Sequence, residues 1–156
     1  MQLYHASPRK FRILKPARSD RFSKKKLIHT SVVWFGKRFD YTVFMVLFRS
    51  VDEEVGENFR FFDWRKKALF YPDNYGPLIK SIPLFKELFD KGEELKLSKP
   101  CRAYVHEVIQ PIKNFKRSKW GDYYTRHDVV ADRVIYIADA LKYLKKQGWD
   151  VRILTH

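Results

Sequence analysis

The sequence predicts one α+β domain over residues 1–156, built from short mixed strands and a few helices. Three observations predict this class. The chain has 156 residues, a length typical of a single domain. Hydrophobic residues make up 45% of the chain and aromatic residues 17%, which is enough apolar material for a buried core. Short strand-like runs are separated by single helical stretches, an order that favours α+β over a doubly wound sheet.

The N-terminal half predicts strands around a basic loop, followed by a buried helix. Prolines delimit the first strand and interrupt the loop, because proline lacks an amide hydrogen. The helix is predicted from apolar residues at a spacing of four, although its last six residues also fit a strand. The elements predicted here are a strand at 3–7, a loop at 8–26, a strand at 27–31, a helix at 32–48, an acidic turn at 52–57 and a strand at 68–71.

The C-terminal half predicts helices with recognisable ends. Pro83 suits the first turn of one helix and Gly92 its C-terminal cap. Asp139 is the predicted N-cap of the last helix, which Gly148 ends. The elements predicted here are a helix at 83–91, a strand at 101–109, a turn-rich stretch at 113–126, a strand at 134–138, a helix at 140–147 and a final strand from Trp149 through Ile153.

Several classes of protein are excluded by the composition. The longest apolar run, Val43–Phe48, is far shorter than the roughly 20 residues that span a bilayer. The N-terminus has no basic segment followed by an apolar one, which argues against a secretory signal. Cys101 is the only cysteine, and the five histidines lack the spacing of a helical zinc site. We therefore expect a cytoplasmic protein with no membrane partner and no metal.

Positive charge is concentrated near the N-terminus. The net charge is +14, and residues 1–38 carry 11 Lys or Arg and a single acidic residue. Such a density attracts polyanions, and a phosphate backbone is the commonest polyanion in a cell, so we predict a nucleic-acid partner. A solvated surface that only aids solubility is the alternative. The predicted nucleic-acid-binding residues are Arg9, Lys10, Arg12, Lys24, Lys25 and Lys26, with Phe11 and Phe22 as rings for stacking.

Most enzyme signatures are missing from the chain. The six glycines lie far apart, which excludes a glycine-rich phosphate loop. His127 and Asp128 are adjacent, but neighbouring residues on a strand point to opposite faces, so their adjacency is only a weak signal of a base with its orienting acid.

The N-terminal motif Leu3-Tyr4-His5-Ala6-Ser7, with Thr30-Ser31 after the basic loop and a following apolar helix, resembles the ADP-ribosyltransferase-like superfamily. The similarity extends in pieces to residues 104–109, 122–125 and 134–141 of small bacterial and phage relatives. The resemblance implies a split sheet and NAD as cofactor. It implies that His5 bonds the ribose next to adenine and that the backbone at Ala6 holds the nicotinamide amide.

The resemblance also implies the remaining site residues. Asp122 occupies the position of the catalytic glutamate, whose carboxylate stabilises the oxocarbenium-like ribose as nicotinamide leaves. Aspartate is shorter by one methylene, and a misplacement of about 1 Å can remove ~100-fold in rate. The other NAD-binding residues implied are Tyr4, Ser7, Thr30 and Tyr124, of which Tyr124 stacks and Ser7 or Thr30 supports the cleft.

Two plainer interpretations of these residues stay open. His5 also fits a strand histidine bonded to a neighbouring carbonyl, and Asp122 after Gly121 fits a turn. The function implied by the resemblance is cleavage of the N-ribosidic bond of NAD, with transfer to a nucleic acid or protein, or removal of a base from DNA or RNA. The alternatives are a non-catalytic nucleic-acid-binding module and an adaptor or inhibitor of an acidic protein.

Overall fold

Fourteen strands and two helices form the part of the chain that the structure describes. The computed structural model describes residues 1–23, 26–55, 59–63, 68–71, 74–77, 87, 90–109, 112–119 and 121–154. The elements are β1 (Gln2–Ser7), β2 (Ile13–Leu14), β3 (Ala17–Ser23), β4 (Lys26–Phe35), α1 (Phe39–Val55), β5 (Phe59–Asp63), β6 (Ala68–Tyr71), β7 (Asn74–Pro77), β8 (Gly92–Glu94), β9 (Ala103–Ile109), β10 (Lys116–Arg117), β11 (Tyr123–Thr125), β12 (Val129–Val130), β13 (Arg133–Ile137), α2 (Ala140–Lys146) and β14 (Trp149–Leu154), with a 3₁₀ turn at Ile112–Asn114.

The protein is α+β, which confirms the predicted class. The strands form several small sheets, and the strand pairs with a described register are antiparallel. The chain divides into two compact units. The first comprises Met1–Thr42 and Ala103–Tyr136, and the second Val43–Arg102 and Ile137–His156.

Three sheets build the first unit. One has the order β1-β9-β13, another the order β10-β11-β4-β3, and the third pairs β2 with β12. The first two sheets are connected where Tyr4 and Gly36 exchange main-chain hydrogen bonds of 2.9 and 2.8 Å. Apolar side chains from these strands form one buried cluster of Leu3, Leu14, Val33, Phe35, Val108, Phe115, Tyr123 and Val129.

The loop predicted at 8–26 is wrong, because this stretch contains β2 and β3. β3 pairs with β4 from Ala17↔Val32 to Ser23↔Lys26. The strand predicted at 27–31 also extends to Phe35. Main-chain hydrogen bonds between neighbouring strands need no apolar pattern, so a hairpin of charged residues resembles a loop in the sequence.

Helix α1 begins at Phe39 rather than at residue 32 and continues to Val55, through most of the predicted acidic turn. Phe35 belongs to β4, and the Gly36–Tyr4 pairing holds the chain extended there. Asp40 opens the helix, where its carboxylate accepts from the Tyr41 amide at 2.9 Å and pairs with Arg38 at 3.0 Å. A carboxylate in the first turn is favourable because the amides at a helix N-terminus are unpaired.

The second unit contains a five-stranded sheet of order β7-β6-β5-β14-β8. The rings of Phe44 in α1 and Trp149 in β14 stack at 5.4 Å in its core. Asp139 caps α2 as predicted, accepting from the Lys142 amide at 3.1 Å, and Gly148 follows this helix at φ 91°. A left-handed φ favours glycine, so the predicted helix end is confirmed.

The other predicted elements of the C-terminal half agree in part. Strands form at β6, β9, β13 and β14 as predicted, whereas the stretch 113–126 contains the hairpin β10–β11. Gly92 begins β8 instead of only capping a helix, and a Cβ there would lie 2.8 Å from Arg152 Cβ. Most of the helix predicted at 83–91 lies outside the described residues. Among the described helices, neither has the length and apolar composition needed to cross a membrane.

Candidate functional site

His5 lies in the middle of β1, directly opposite His106 of β9. Its Nδ1 lies 2.8 Å from the carbonyl oxygen of Trp34 in β4. A carbonyl only accepts, so Nδ1 carries a hydrogen and donates, and the neutral ring then has Nε2 as its acceptor. This contact is the one expected of a strand histidine bonded to a neighbouring carbonyl.

Trp34 connects His5 with Tyr124. β11 pairs with β4 so that Tyr124 lies opposite Trp34, and their rings are 5.1 Å apart. Asp122 lies two residues before Tyr124 in a turn, where its main-chain oxygen accepts from the Ser118 amide at 2.7 Å. Burial raises the pKa of the Asp122 carboxyl above its ordinary value. Of the residues implied by the resemblance, His5 thus contacts the main chain of Trp34 and Tyr124 contacts its ring, while Asp122 directly follows the turn that Gly121 closes with Ser118.

The other NAD-binding residues implied by the resemblance have structural contacts. The Tyr4 hydroxyl donates to Gln2 Oε1 at 3.2 Å, and Ala6 pairs with Val105. Ser7 Oγ accepts from the Arg9 amide at 3.2 Å. The main chain of Thr30 lies in β4 opposite Ser19.

The basic residues predicted to bind nucleic acid fall into two groups. Arg9, Lys10 and Arg12 are exposed in the segment between β1 and β2. Lys24 and Lys25 lie outside the described residues, and Lys26 begins β4 with its side chain also outside them.

A cavity of about 530 Å³ lies beside the first of these groups. The N-terminal segment contributes Lys10, Phe11 and Arg12, and the C-terminal part contributes residues 131–134. Arg133 adds a third cation to the lining, Asp132 adds one carboxylate, and Phe11 is 41% exposed.

Neither His5 nor Asp122 lines this cavity. Arg133 and Asp132 lie far from the basic segment in the sequence, so no local pattern indicates that they join this cavity. The only sequence feature that points to this part of the chain is its excess of Lys and Arg over Asp and Glu after residue 95.

Main-chain and polar contacts hold the two walls of the cavity together. β2 pairs with β12, with Ile13 opposite Val130, and the Ala131 amide donates to the Arg12 carbonyl at 3.4 Å. The Asp132 amide donates to the Glu107 carbonyl at 2.9 Å.

Two acidic side chains fix the C-terminal wall. The carboxylate of Asp132 accepts from the Ile109 amide. Arg133 pairs with the buried carboxylate of Glu107 at 3.2 Å. This arrangement orients the Arg133 guanidinium while leaving 66% of its side chain exposed.

His106 contacts Phe11 of the cavity lining, although the sequence does not single it out. Its ring is completely buried, and its Nε2 accepts from the Phe11 amide at 2.9 Å. Its Nδ1 lies 3.0 Å from the His5 carbonyl oxygen. Burial lowers the pKa of His106, and the charge of Lys10 lowers it further, whereas the His5 carbonyl acts in the opposite direction. The ring is therefore neutral at physiological pH.

The cavity has the chemistry of an anion site with an aromatic platform. Lys and Arg side chains bind phosphate oxygens, and an exposed ring stacks on a base. Among the described side chains, no three His, Cys, Asp or Glu residues are grouped as a metal site would require. Comparison with protein-family models, curated proteins and solved structures finds no match.

Proposed function

We propose that the protein binds single-stranded nucleic acid at the cavity between Lys10, Arg12 and Arg133. The observation that carries this proposal is the position of Phe11, an exposed residue that lines an open cavity together with Lys10, Arg12 and Arg133. Cations bind the phosphates and the ring receives an unstacked base, the combination that binds single strands without sequence preference.

The size and charge of the cavity support this ligand. Its volume of about 530 Å³ falls within the roughly 300–1,000 Å³ of pockets that hold small ligands, so we expect it to accept one nucleotide. Three cationic side chains and one acidic side chain line it. The net charge of +14 adds long-range attraction for a polyanion, which raises the association rate at low salt.

The test replaces one cation at a time and measures how affinity depends on salt. For Lys10→Ala, Arg12→Ala and Arg133→Ala, we expect weaker binding to a labelled oligothymidylate and a salt slope reduced by about 0.7 per lost phosphate contact. Lys146→Ala is the control, because Lys146 is an exposed lysine of α2 in the second unit. Equal effects at Lys10 and Lys146 would contradict a site at the cavity. An acidic protein that displaces the oligonucleotide at low concentration would favour the adaptor alternative.

A second candidate function is the ADP-ribosyltransferase-like activity that the resemblance implies. The contact of both His5 and Tyr124 with Trp34 favours it, with Asp122 close by in the chain. In this scheme His5 orients the ribose of NAD, Tyr124 stacks, and Asp122 stabilises the positive charge that develops as nicotinamide leaves. Transfer to a nucleic acid or protein, or removal of a base from DNA or RNA, would follow the same electrostatics.

Nicotinamide release measures this second candidate. The protein is incubated with NAD and a mixture of DNA, RNA and proteins, and the expected result is release that Asp122→Ala abolishes. Asp128→Ala removes an exposed carboxylate and serves as the control. Release that survives in Asp122→Ala removes this residue from the mechanism, and no release under any condition counts against NAD chemistry.

A further inference from the structure

The main chain that carries Phe11 is hydrogen-bonded to His106. The Phe11 amide donates to Nε2 at 2.9 Å, and the two rings lie 5.9 Å apart. Lys10 and Arg12 flank Phe11 in the sequence and line the cavity with it. The position of this wall therefore depends on a bond to one buried imidazole.

Only one tautomer of the neutral His106 ring, with its hydrogen on Nδ1, makes both of these hydrogen bonds. An amide donates, so Nε2 has no hydrogen, and a carbonyl accepts, so the proton resides on Nδ1. Protonation adds a hydrogen to Nε2, so that both ring nitrogens carry one. Nε2 and the Phe11 amide are then both donors and face each other. The bond to Phe11 cannot form in that state.

The surroundings of His106 oppose its protonation. Burial lowers its pKa, and Lys10 on the 8–12 segment adds a positive charge that lowers it further. On β1, the ring of His5 lies 6.0 Å away. On β9, Glu107 is the neighbouring residue and points to the opposite face, where it pairs with Arg133 of β13. Among the described residues, no carboxylate is hydrogen-bonded to the His106 ring to balance a new charge.

We propose that His106 positions the Phe11 segment for ligand binding and that protonation of His106 releases this segment, so that acid weakens nucleic-acid binding. This inference rests on the proposed function. It also reverses the usual behaviour of a basic surface, which binds polyanions equally or more tightly as histidines gain charge. His106 is a positioning residue, because it acts on the ligand only through Phe11 and its neighbours.

Binding is measured at constant ionic strength between about pH 7.5 and about pH 5, where phosphodiesters and thymine do not titrate. The pKa of His106 is lowered while the Phe11 bond is made, so acid below the ordinary value of 6.5 favours the released state of the segment. We expect affinity for oligothymidylate to fall about five- to tenfold across this range, the effect of one lost hydrogen bond. His106→Gln keeps a donor and an acceptor but does not titrate, so it retains binding at neutral pH and loses the acid effect. His127→Gln removes an exposed histidine and should behave as the unmodified protein does.

A second measurement tests the hydrogen bond between Phe11 and His106 without any ligand. Amide hydrogen exchange at Phe11 is expected to be slow at neutral pH and to accelerate in acid beyond the intrinsic rate, and His106→Gln should abolish this acceleration. An unchanged Phe11 amide overturns the inference, as does an acid loss of binding that persists in His106→Gln. If no oligonucleotide binds at neutral pH while the Phe11 amide still exchanges slowly, the proposed function is rejected. The role of His106 in positioning Phe11 is then retained.

Discussion

Two regions of the first unit use neighbouring strands and differ in what they offer a ligand. Around Trp34, the side chains of His5 and Tyr124 contact the tryptophan, by a hydrogen bond and by ring packing. At the cavity, Lys10 and Phe11 are exposed, and the walls are held by main-chain hydrogen bonds and by buried side chains such as those of His106 and Glu107. The difference teaches that a motif of polar residues can serve the fold, while exposed side chains on a fixed backbone remain available for binding.

The largest expected effect is a loss of folding stability, because both regions depend on the same buried core. Leu3 is completely buried in the core of the first unit, on the strand that also carries His5. We expect Leu3→Ala to lower the free energy of unfolding by about 2–5 kcal/mol, from lost burial and the cavity left behind. Urea unfolding measures this change. Ile13→Ala is the control, because Ile13 is 40% exposed and its truncation should cost about 0.5 kcal/mol or less. Equal losses would mean that β1 does not support this core.

An intermediate effect separates the two regions. Phe11→Ala removes the exposed ring of the cavity, and we expect affinity for oligothymidylate to fall by about 1–3 kcal/mol, the usual contribution of one stacked base. Equilibrium titration of the oligonucleotide measures this loss. Tyr136→Ala removes another exposed ring, 51% accessible, that does not line the cavity, and it should leave binding unchanged. A loss in both variants would indicate general aromatic contacts in place of a defined site.

The smallest effect concerns the turn at Asp122. Burial raises the pKa of this carboxyl, so its stabilising contribution is complete below the ordinary value of 3.8 and is lost as the pH rises through the folded-state pKa. Asp122→Asn removes this half-buried charge, and we expect a gain within about 0.5 kcal/mol at neutral pH and none in acid. Thermal unfolding at several pH values measures it, with the exposed Asp128→Asn as control. A loss of stability at neutral pH would show that the ionised carboxylate is favourable in the folded chain.

Local sequence patterns predicted the elements whose ends are set by neighbouring residues. Asp139 and Gly148 delimit α2 because a cap and a left-handed residue act within one turn of the helix. The strand β14 was predicted from alternation, and Trp149 and Val151 are buried as that pattern requires.

Long-range pairing accounts for what the sequence did not predict. Phe35 continues the four-residue apolar spacing of α1, yet it lies in β4 because Gly36 pairs with Tyr4. The cavity likewise depends on residues distant in the sequence. Lys10 and Arg12 could be predicted as ligand-binding residues from charge alone, whereas Arg133 joins them only through the pairing of β2 with β12. No sequence pattern indicated His106, because its importance comes from the hydrogen bond that it accepts from the distant Phe11 amide.

The short β2–β12 pair has a consequence for the order in which the chain is synthesised. Its two halves, Ile13–Leu14 and Val129–Val130, lie far apart in the sequence. The cationic segment therefore leaves the ribosome well before the strand that completes its enclosure, since translation proceeds from the N-terminus. A nascent chain therefore carries these exposed cations before it can form the cavity, which requires residues 131–134.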